Sequence, residues 1–212
     1  MLITLASFGY MVYGAYNFYY YGNCEGPNAA SACIFNDLTG DYGRFGQPQD
    51  LLAPTELNGI SAGNASSLIK VIEFGCFLCP YTYKAEPLVQ KILKEDVHYI
   101  FKPLPLPGHN NSYDAARAVL CADRQEKHWE LRELVFSQQD TCAQGGVLHL
   151  DLLAQKAGLN MTQYKECMDK NQTNAELDSF IQQAHDAHIY ATPSFFVNGR
   201  AFVGIQSMED VK

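Results

Sequence analysis

The segment over residues 71–86, VIEFGCFLCPYTYKAE, constrains the fold of this chain more than any other. It begins as an apolar β-type run, breaks at Gly75 and resumes with a helical pattern at Pro80. Because proline is favoured at the first helical position, the pattern predicts a helix over residues 80–95 with Cys79 as its N-cap. A thiolate at a helix N-terminus is stabilised by free N–H groups and by the helix dipole. Cys79 is therefore the predicted nucleophile.

A second cysteine, Cys76, lies upstream of Cys79 in the predicted strand-to-helix loop. The Cys-x-x-Cys spacing permits a disulfide between the two, so the first hypothesis is a redox function. In common dithiol motifs the partner cysteine instead follows the nucleophile inside the helix. Thr82 holds that later position here.

The sequence from Glu73 to Thr82, EFGCFLCPYT, resembles the active-site segment of the DsbA-like thioredoxin-fold disulfide oxidoreductases. In that alignment Cys79 matches the family's nucleophile, and Glu73 matches the acidic residue buried beneath it. Thr82 replaces the family's second cysteine, and Cys76 occupies a position that is not normally cysteine. The resemblance implies an α/β, thioredoxin-like fold with a helical insertion.

A second motif, ATPSFFV, supports the same resemblance. A Thr-Pro pair that enters an apolar strand indicates a fixed turn. In the family, Pro193 matches a cis-proline beside the nucleophilic cysteine, and Thr192 matches a position whose backbone pairs with a bound peptide. Asn198 and Gly199 then predict a tight hairpin turn into a strand over residues 201–203.

Charge and cysteine content restrict the function classes. The formal net charge of the chain is -8, which gives no electrostatic support for binding nucleic acid or an anionic membrane surface. The 7 cysteines are many for a cytosolic protein of 212 residues and indicate an oxidising compartment. The odd count leaves at least one cysteine unpaired within the chain.

Residues 1–23 predict a transmembrane anchor helix, since a long apolar and aromatic run without charged side chains ends in a tyrosine-rich cluster. A cleaved signal peptide is the competing interpretation, but no basic residue precedes the run. A buried or partner-contacting helix is the other alternative. Residues 24–66, rich in Gly, Pro, Asn, Ala and Ser, predict a linker or extension in which Cys24 and Cys33 form a disulfide.

Residues 67–212 are the predicted thioredoxin-like domain. Two strands, over residues 68–74 and 97–102, flank the helix and predict a β-α-β unit with a parallel crossover. If these strands adjoin, Lys102 could pair with Glu73, as in an acid-lysine pair that the DsbA-like resemblance implies. A solvated lysine at a strand end is the alternative.

Helical patterns fill residues 110–188, the predicted insertion, with Asn160 starting a short helix and Thr173 opening a capping box. The family resemblance favours a structural Cys121–Cys167 disulfide and leaves Cys142 over, although the sequence alone permits every pairing among these three. The 6 histidines have no convincing ligand spacing, and we interpret them as surface residues of helices and predict no metal site.

Two further features concern the surface and the chain end. Four Asn-x-Ser/Thr sequons indicate exposure to a glycosylation system. They begin at Asn64, Asn110, Asn160 and Asn171. Ser207 is predicted to open a helix that the chain end cuts short, which indicates a C-terminal fragment.

We therefore expect a membrane-anchored, extracytoplasmic thiol-disulfide oxidoreductase that forms or exchanges disulfides in secreted or surface proteins. Cys79, Cys76 and Glu73 are its predicted catalytic residues, with Thr192 and Pro193 binding the cysteine-containing substrate proteins. No cofactor is predicted, and the family implies a quinone-linked membrane partner that re-oxidises the protein. One alternative is a redox-silent thioredoxin-fold subunit of a membrane or filament assembly. Another is a single-cysteine peroxidase or glutathione-dependent enzyme.

Overall fold

The protein is described by a computed structural model that covers residues 51–205. Five strands form one sheet in the order β1-β3-β2-β4-β5. The strands are β1 (Ile60–Gly63), β2 (Lys70–Gly75), β3 (His98–Pro103), β4 (Ser194–Val197) and β5 (Arg200–Val203). The helices are α1 (Pro80–Ile92), α2 (Ser112–Asp123), α3 (His128–Ser137), α4 (Gln139–Lys156), α5 (Met161–Asp169) and α6 (Asn174–Asp186).

The β2-α1-β3 unit has the predicted parallel pairing, with β2 and β3 adjacent in the sheet. The other strand pairs, β1 with β3, β2 with β4 and β4 with β5, are antiparallel. The β4–β5 hairpin turns at Asn198 and Gly199, both with positive φ, as the sequence predicted. Five helices lie between β3 and β4, which matches the predicted helical insertion.

Hydrophobic side chains pack on both faces of the sheet. One cluster joins Val71, Phe101 and Phe195 to apolar residues of helices α1 to α5. The second joins Ile72 and Phe196 to residues at the end of α6. Because successive strand residues point to opposite faces, the nearly continuous burial of β2 and β3 follows from helices covering both sides.

Residues 60–63, which the sequence placed in a linker or extension over residues 24–66, belong to the sheet. They form β1, an edge strand whose Ile60 lies opposite Phe101 of β3. The described residues before it also pack on the domain, since the Leu52 N–H donates to the carbonyl oxygen of Ala187. This strand has no clear sequence signal, because it is only four residues long and contains small residues.

Lys102 does not pair with Glu73, and it is not solvated either. In the parallel register Glu73 lies opposite Phe101, so Lys102 points to the other face of the sheet. There its buried ammonium group donates to the backbone oxygen of Glu56 and to side-chain oxygens of Asn58 and Gln183. Both sequence interpretations of Lys102 were therefore wrong.

Helix boundaries follow the sequence with local exceptions. Asn160 caps α5, because its side-chain oxygen accepts from the N–H groups of Thr162 and Gln163. Thr173 precedes α6 but makes no side-chain cap hydrogen bond, so the predicted capping box is absent there. Helix α4 contains a kink at Gly146, whose φ of 54° and ψ of -141° are not helical.

Several predictions lie outside the described residues. These are the anchor over residues 1–23, the Cys24–Cys33 disulfide and the helix at Ser207. Among the helices within residues 51–205, none combines the length and apolar character needed to cross a membrane.

Candidate active site

Cys79 lies at the N-terminus of α1, as Pro80 predicted. It is the N-cap residue with extended backbone angles, and Pro80 occupies the first helical turn. Its side chain is only 3% exposed. The Cys79 thiol donates to the carbonyl oxygen of Thr192 at an Sγ···O distance of 3.5 Å. The helix end and the loop before β4 therefore meet at this sulfur.

The loop that meets Cys79 contains a cis peptide bond between Thr192 and Pro193, as the resemblance implied. Thr192 is 1% exposed, and its hydroxyl oxygen is buried without a hydrogen-bond partner. The structure thus brings together Cys79 and Thr192, two of the predicted site residues, from segments far apart in sequence.

Cys76 lies in the turn between β2 and α1. The Cys79 N–H donates to the Cys76 carbonyl oxygen at 3.0 Å, which closes this turn. Both side chains are free thiols in the structure, and Cys76 is 1% exposed. Burial, with a smaller contribution from the nearby Cys79, raises the pKa of Cys76 to about 12. Its thiol is therefore protonated at neutral pH and needs a base before it can act as a nucleophile.

Thr82 supports the turn in which Cys76 precedes the predicted nucleophile. Thr82 is completely buried on α1, at the position where the related motif has its second cysteine. Its hydroxyl oxygen accepts the backbone N–H of Cys76 at 3.3 Å. The threonine thus holds the Cys76 backbone in place.

Glu73 is buried on β2, but its interactions differ from those we predicted. The Tyr99 hydroxyl donates to one of its carboxylate oxygens, and the other oxygen has no hydrogen-bond partner. Burial raises the pKa of Glu73 to about 7, while the positive charge of Arg132 lowers it in part. Near neutral pH this carboxyl group is therefore divided between its protonated and ionised forms.

Arg132 of α3 is the cation of this network, and no sequence pattern pointed to it. Its guanidinium forms a 2.5 Å ion pair with Glu86 of α1 and donates to the Tyr99 hydroxyl at 3.3 Å. It also lies 4.2 Å from the ring centroid of Phe101. Arg132 is fully buried, so these contacts compensate for the loss of water around its charge.

His109 is the second site residue that sequence analysis missed. Its Nδ1 atom lies 3.3 Å from the Cys76 sulfur, and its ring is partly buried in the loop after β3. Burial lowers the pKa of His109, so the imidazole is neutral at pH 7. His109 therefore corrects the interpretation of all six histidines as surface residues of helices, and so does His98, which is buried on β3.

The position of His109 could have been inferred from the parallel pairing. Strands β2 and β3 end at the same edge of the sheet, with Cys76 and His109 in the segments that follow them. Polar residues after the carboxyl ends of parallel strands commonly meet.

Gln139, at the start of α4, supports the same turn from the helical insertion. Its side-chain amide donates to the backbone oxygens of Phe77 and Cys79, at 2.8 and 2.9 Å. These bonds satisfy two carbonyl groups in a buried turn. They also connect the insertion directly to the thiol pair.

The remaining predicted residues are three further cysteines and the sequon asparagines. Cys121 of α2 and Cys167 of α5 form the disulfide that the resemblance favoured, and Cys142 is a buried free thiol. The four sequon asparagines are exposed, and glycosylation at them stays a prediction. Within residues 51–205 no group of three or more His, Cys, Asp or Glu side chains could hold a metal ion.

Sequence comparisons identify the family and show that the curated relatives are longer proteins. A family model described as Thioredoxin matches residues 55–212. Part of the Na(+)/H(+) antiporter NhaA 1 of Salinispora arenicola is 29% identical over 166 residues, 76% of this chain and 25% of the antiporter. Part of the Na(+)/H(+) antiporter NhaA 3 of Salinispora tropica is 28% identical over 164 residues, which are 76% of this chain and 25% of the antiporter. The chain thus spans about a quarter of the curated relatives it matches.

Solved structures share the fold. A thioredoxin-like oxidoreductase from Silicibacter pomeroyi has a TM-score of 0.62 at 24% identity, covering 71% of this chain and 86% of that one. Oxidised BdbD from Bacillus subtilis has a TM-score of 0.62 at 24% identity, with 76% and 91% covered. Wolbachia pipientis alpha-DsbA1 has a TM-score of 0.62 at 20% identity, with 72% and 86% covered. The DsbA-like resemblance is thereby confirmed for the fold, and the family match over residues 55–212 shows that this chain belongs to the thioredoxin family.

Proposed function

We propose that this protein is a thiol-disulfide oxidoreductase that exchanges disulfides with cysteine-containing proteins through Cys79 and Cys76. The observation that carries the proposal is the position of Cys79, at the N-cap of α1 and in contact with the carbonyl oxygen of Thr192. Free N–H groups at a helix N-terminus stabilise a thiolate. Two structural neighbours, the thioredoxin-like oxidoreductase of Silicibacter pomeroyi and alpha-DsbA1 of Wolbachia pipientis, support this chemistry by analogy.

In the proposed reaction, the Cys79 thiolate attacks a substrate disulfide and forms a mixed disulfide, releasing one substrate thiol. Cys76 then attacks the Cys79 sulfur, so that a Cys76–Cys79 disulfide forms and the second substrate thiol leaves. Donation of a disulfide is the same sequence in reverse. The cysteine-rich composition favours donation, because many cysteines indicate an oxidising compartment.

Other groups of the site contribute binding and proton transfer in this proposal. The backbone of Thr192 and Pro193 orients the substrate segment beside Cys79. Glu73, with its pKa near 7, supplies or accepts protons from beneath the sheet end. We further propose that residues 1–23 anchor an extracytoplasmic domain in the membrane and that a quinone-linked membrane partner re-oxidises it.

The test is to trap the mixed disulfide with the full chain. Cys76→Ser should form a stable, reducible adduct with a peptide disulfide at Cys79, located by peptide mapping, whereas Cys79→Ser should form none. Cys142→Ser is the matched control and should behave like the unmodified protein. Failure of Cys76→Ser to form any adduct at Cys79 would favour the redox-silent subunit, to which the burial of both thiols also points.

A further inference from the structure

The loop that carries His109 is held firmly against the strand end that precedes Cys76. The Leu104 N–H donates to the Gly75 carbonyl oxygen at 2.9 Å. Leu106 then accepts two bonds at its carbonyl oxygen, from the His109 N–H and from the Ser112 hydroxyl, each at 2.9 Å. The imidazole is thus placed by its backbone and not by a flexible side chain alone.

The side chains of His109 and Cys76 are close enough for the imidazole to accept a proton from the thiol. The Cys76 sulfur lies 3.3 Å from the His109 Nδ1 atom, within hydrogen-bond reach for sulfur. The Cys76 side of this contact is shielded from water, since Cys76 is 1% exposed, whereas the His109 ring is partly buried. In the tautomer that carries its proton on Nε2, His109 presents Nδ1 as the acceptor for a proton leaving the Cys76 thiol.

We infer that His109 is the catalytic base for Cys76, taking its proton when Cys76 attacks Cys79 and returning it when Cys76 leaves. This inference rests on the proposed function, because it assigns a role within the same exchange reaction. It adds a proton acceptor to the backbone hydrogen bonds of Leu106, Leu78 and Cys79, which lower the pKa of Cys76 but do not offset its burial. It also accounts for a histidine that has no place in the sequence motif.

The step balances without an external oxidant. In the mixed disulfide, the substrate sulfur is bonded to the Cys79 sulfur. Nδ1 of neutral His109 takes the Cys76 proton, the Cys76 sulfur attacks, and the Cys76–Cys79 bond forms as the bond to the substrate breaks. The substrate leaves as a thiolate that the imidazolium or water protonates. Cys76 and Cys79 are oxidised, and the substrate disulfide is reduced to two thiols.

Within residues 51–205, the Cys76 thiol is the titratable group in hydrogen-bond contact with the imidazole, and Cys79 lies beyond Cys76 in the same turn. The burial of the ring lowers the pKa of His109, which keeps the base in its neutral form at pH 7. Above that pKa the rate of Cys76 attack should level off.

The test uses the reduced full chain and Ellman's reagent in a rapid-mixing experiment. One thionitrobenzoate leaves when Cys79 forms the adduct, and a second leaves when Cys76 attacks it. His109→Asn should slow the second release by about 100-fold at neutral pH. Its rate should then rise about tenfold per pH unit, following the thiolate fraction, whereas the unmodified protein should level off. His185→Asn, at an exposed position on α6, is the matched control.

A chemical rescue keeps the result independent of folding. His109→Ala should lose the fast second release and regain it when imidazole is added. An unchanged rate and pH profile in His109→Asn, or no rescue of a slowed His109→Ala, would overturn the inference.

The cysteine variants separate this inference from the proposed function. If the second release is present and disappears in Cys76→Ser, the thiol pair operates, and only the role of His109 is at stake. If the unmodified protein shows no second release, or Cys76→Ser retains it, the proposed function is wrong and the inference is wrong with it.

Discussion

The thiol of Cys79 donates a hydrogen bond to the backbone oxygen of Thr192, across 3.5 Å and between residues 113 apart in sequence. This contact joins the N-terminus of α1 to the cis-proline loop before β4. A substrate segment that paired with the Thr192 backbone would lie beside the Cys79 sulfur. The contact is thus the structural basis for treating the two motifs as one site.

We expect Glu73 to make the free energy of unfolding depend on pH. Its pKa is about 7 in the folded protein, above its ordinary value of 4.5, so between these values the folded chain holds a proton that the unfolded chain has released. Its contribution is therefore most favourable below pH 4.5 and is lost as the pH rises through about 7. At about 1.4 kcal/mol per pKa unit, the loss is roughly 3 kcal/mol.

Glu73→Gln should remove this slope, because the amide does not ionise. Urea unfolding of both proteins across this pH range measures the effect, with the exposed Glu133→Gln as the matched control. Parallel pH curves for Glu73→Gln and the unmodified protein would contradict the assigned pKa.

Arg132 should be essential for the stability of the helical insertion on the sheet. Arg132→Met leaves Glu86 without its partner at a largely buried position, which typically costs about 3–5 kcal/mol. The double variant Arg132→Met/Glu86→Gln should recover part of this loss, because no lone charge remains. Arg124→Met, at an exposed arginine, should cost less than about 1 kcal/mol in the same denaturation experiment. Equal losses for the two arginines would refute a special role for the buried charge.

Thr82→Cys should redirect the disulfide chemistry. The new thiol would lie one helical turn after Cys79, at the position that the related motif uses for its second cysteine. We expect peptide mapping after mild oxidation to find Cys79 linked to the introduced thiol in most molecules. Thr82→Ser keeps the hydroxyl that accepts the Cys76 N–H and should give the proposed Cys76–Cys79 link after the same oxidation. Exclusive retention of that link in Thr82→Cys would show that the turn, and not residue type, selects the partner.

The Cys121–Cys167 disulfide should stabilise the insertion by closing a chain loop. The bonded residues are 46 apart in sequence, for which loop-closure entropy gives about 4 kcal/mol. Cys121→Ala/Cys167→Ala should lower the free energy of unfolding by about this amount. The release of thionitrobenzoate when Cys79 reacts with Ellman's reagent should stay fast. A double variant as stable as the unmodified protein would show that packing alone holds α2 and α5 together.

Much of this fold was predictable because its signals are local. Proline at a helix start, Asn-Gly at a hairpin and Thr-Pro before a strand each act through the backbone of neighbouring residues. The sequence therefore placed Cys79 at an N-cap, located the β4–β5 turn and indicated a fixed turn at Pro193, whose cis bond the family resemblance implied. Asn160 was found for the same reason, since a cap is a local hydrogen bond.

The parts that were missed depend on contacts between distant segments. The face occupied by Lys102 follows from strand register, and the register of β2 and β3 cannot be read from either strand alone. Arg132 occupies a core position on a helix whose pattern gives no reason to bury a charge. His109 lies in an irregular loop, where only the meeting of two strand ends brings it to Cys76.

The most direct test of the account is differential alkylation of the purified protein in redox buffers of graded potential, read by mass spectrometry. We predict that a disulfide links Cys76 and Cys79 in oxidising buffers and is reduced as the potential falls. Once it is reduced, Cys79 should be alkylated before Cys76. Burial raises the pKa of Cys142 to about 11, so its thiol is protonated at neutral pH and should stay largely unlabelled in the folded protein throughout. A Cys79 that remains unlabelled in every buffer, with no link to Cys76, would contradict the thiol-disulfide function.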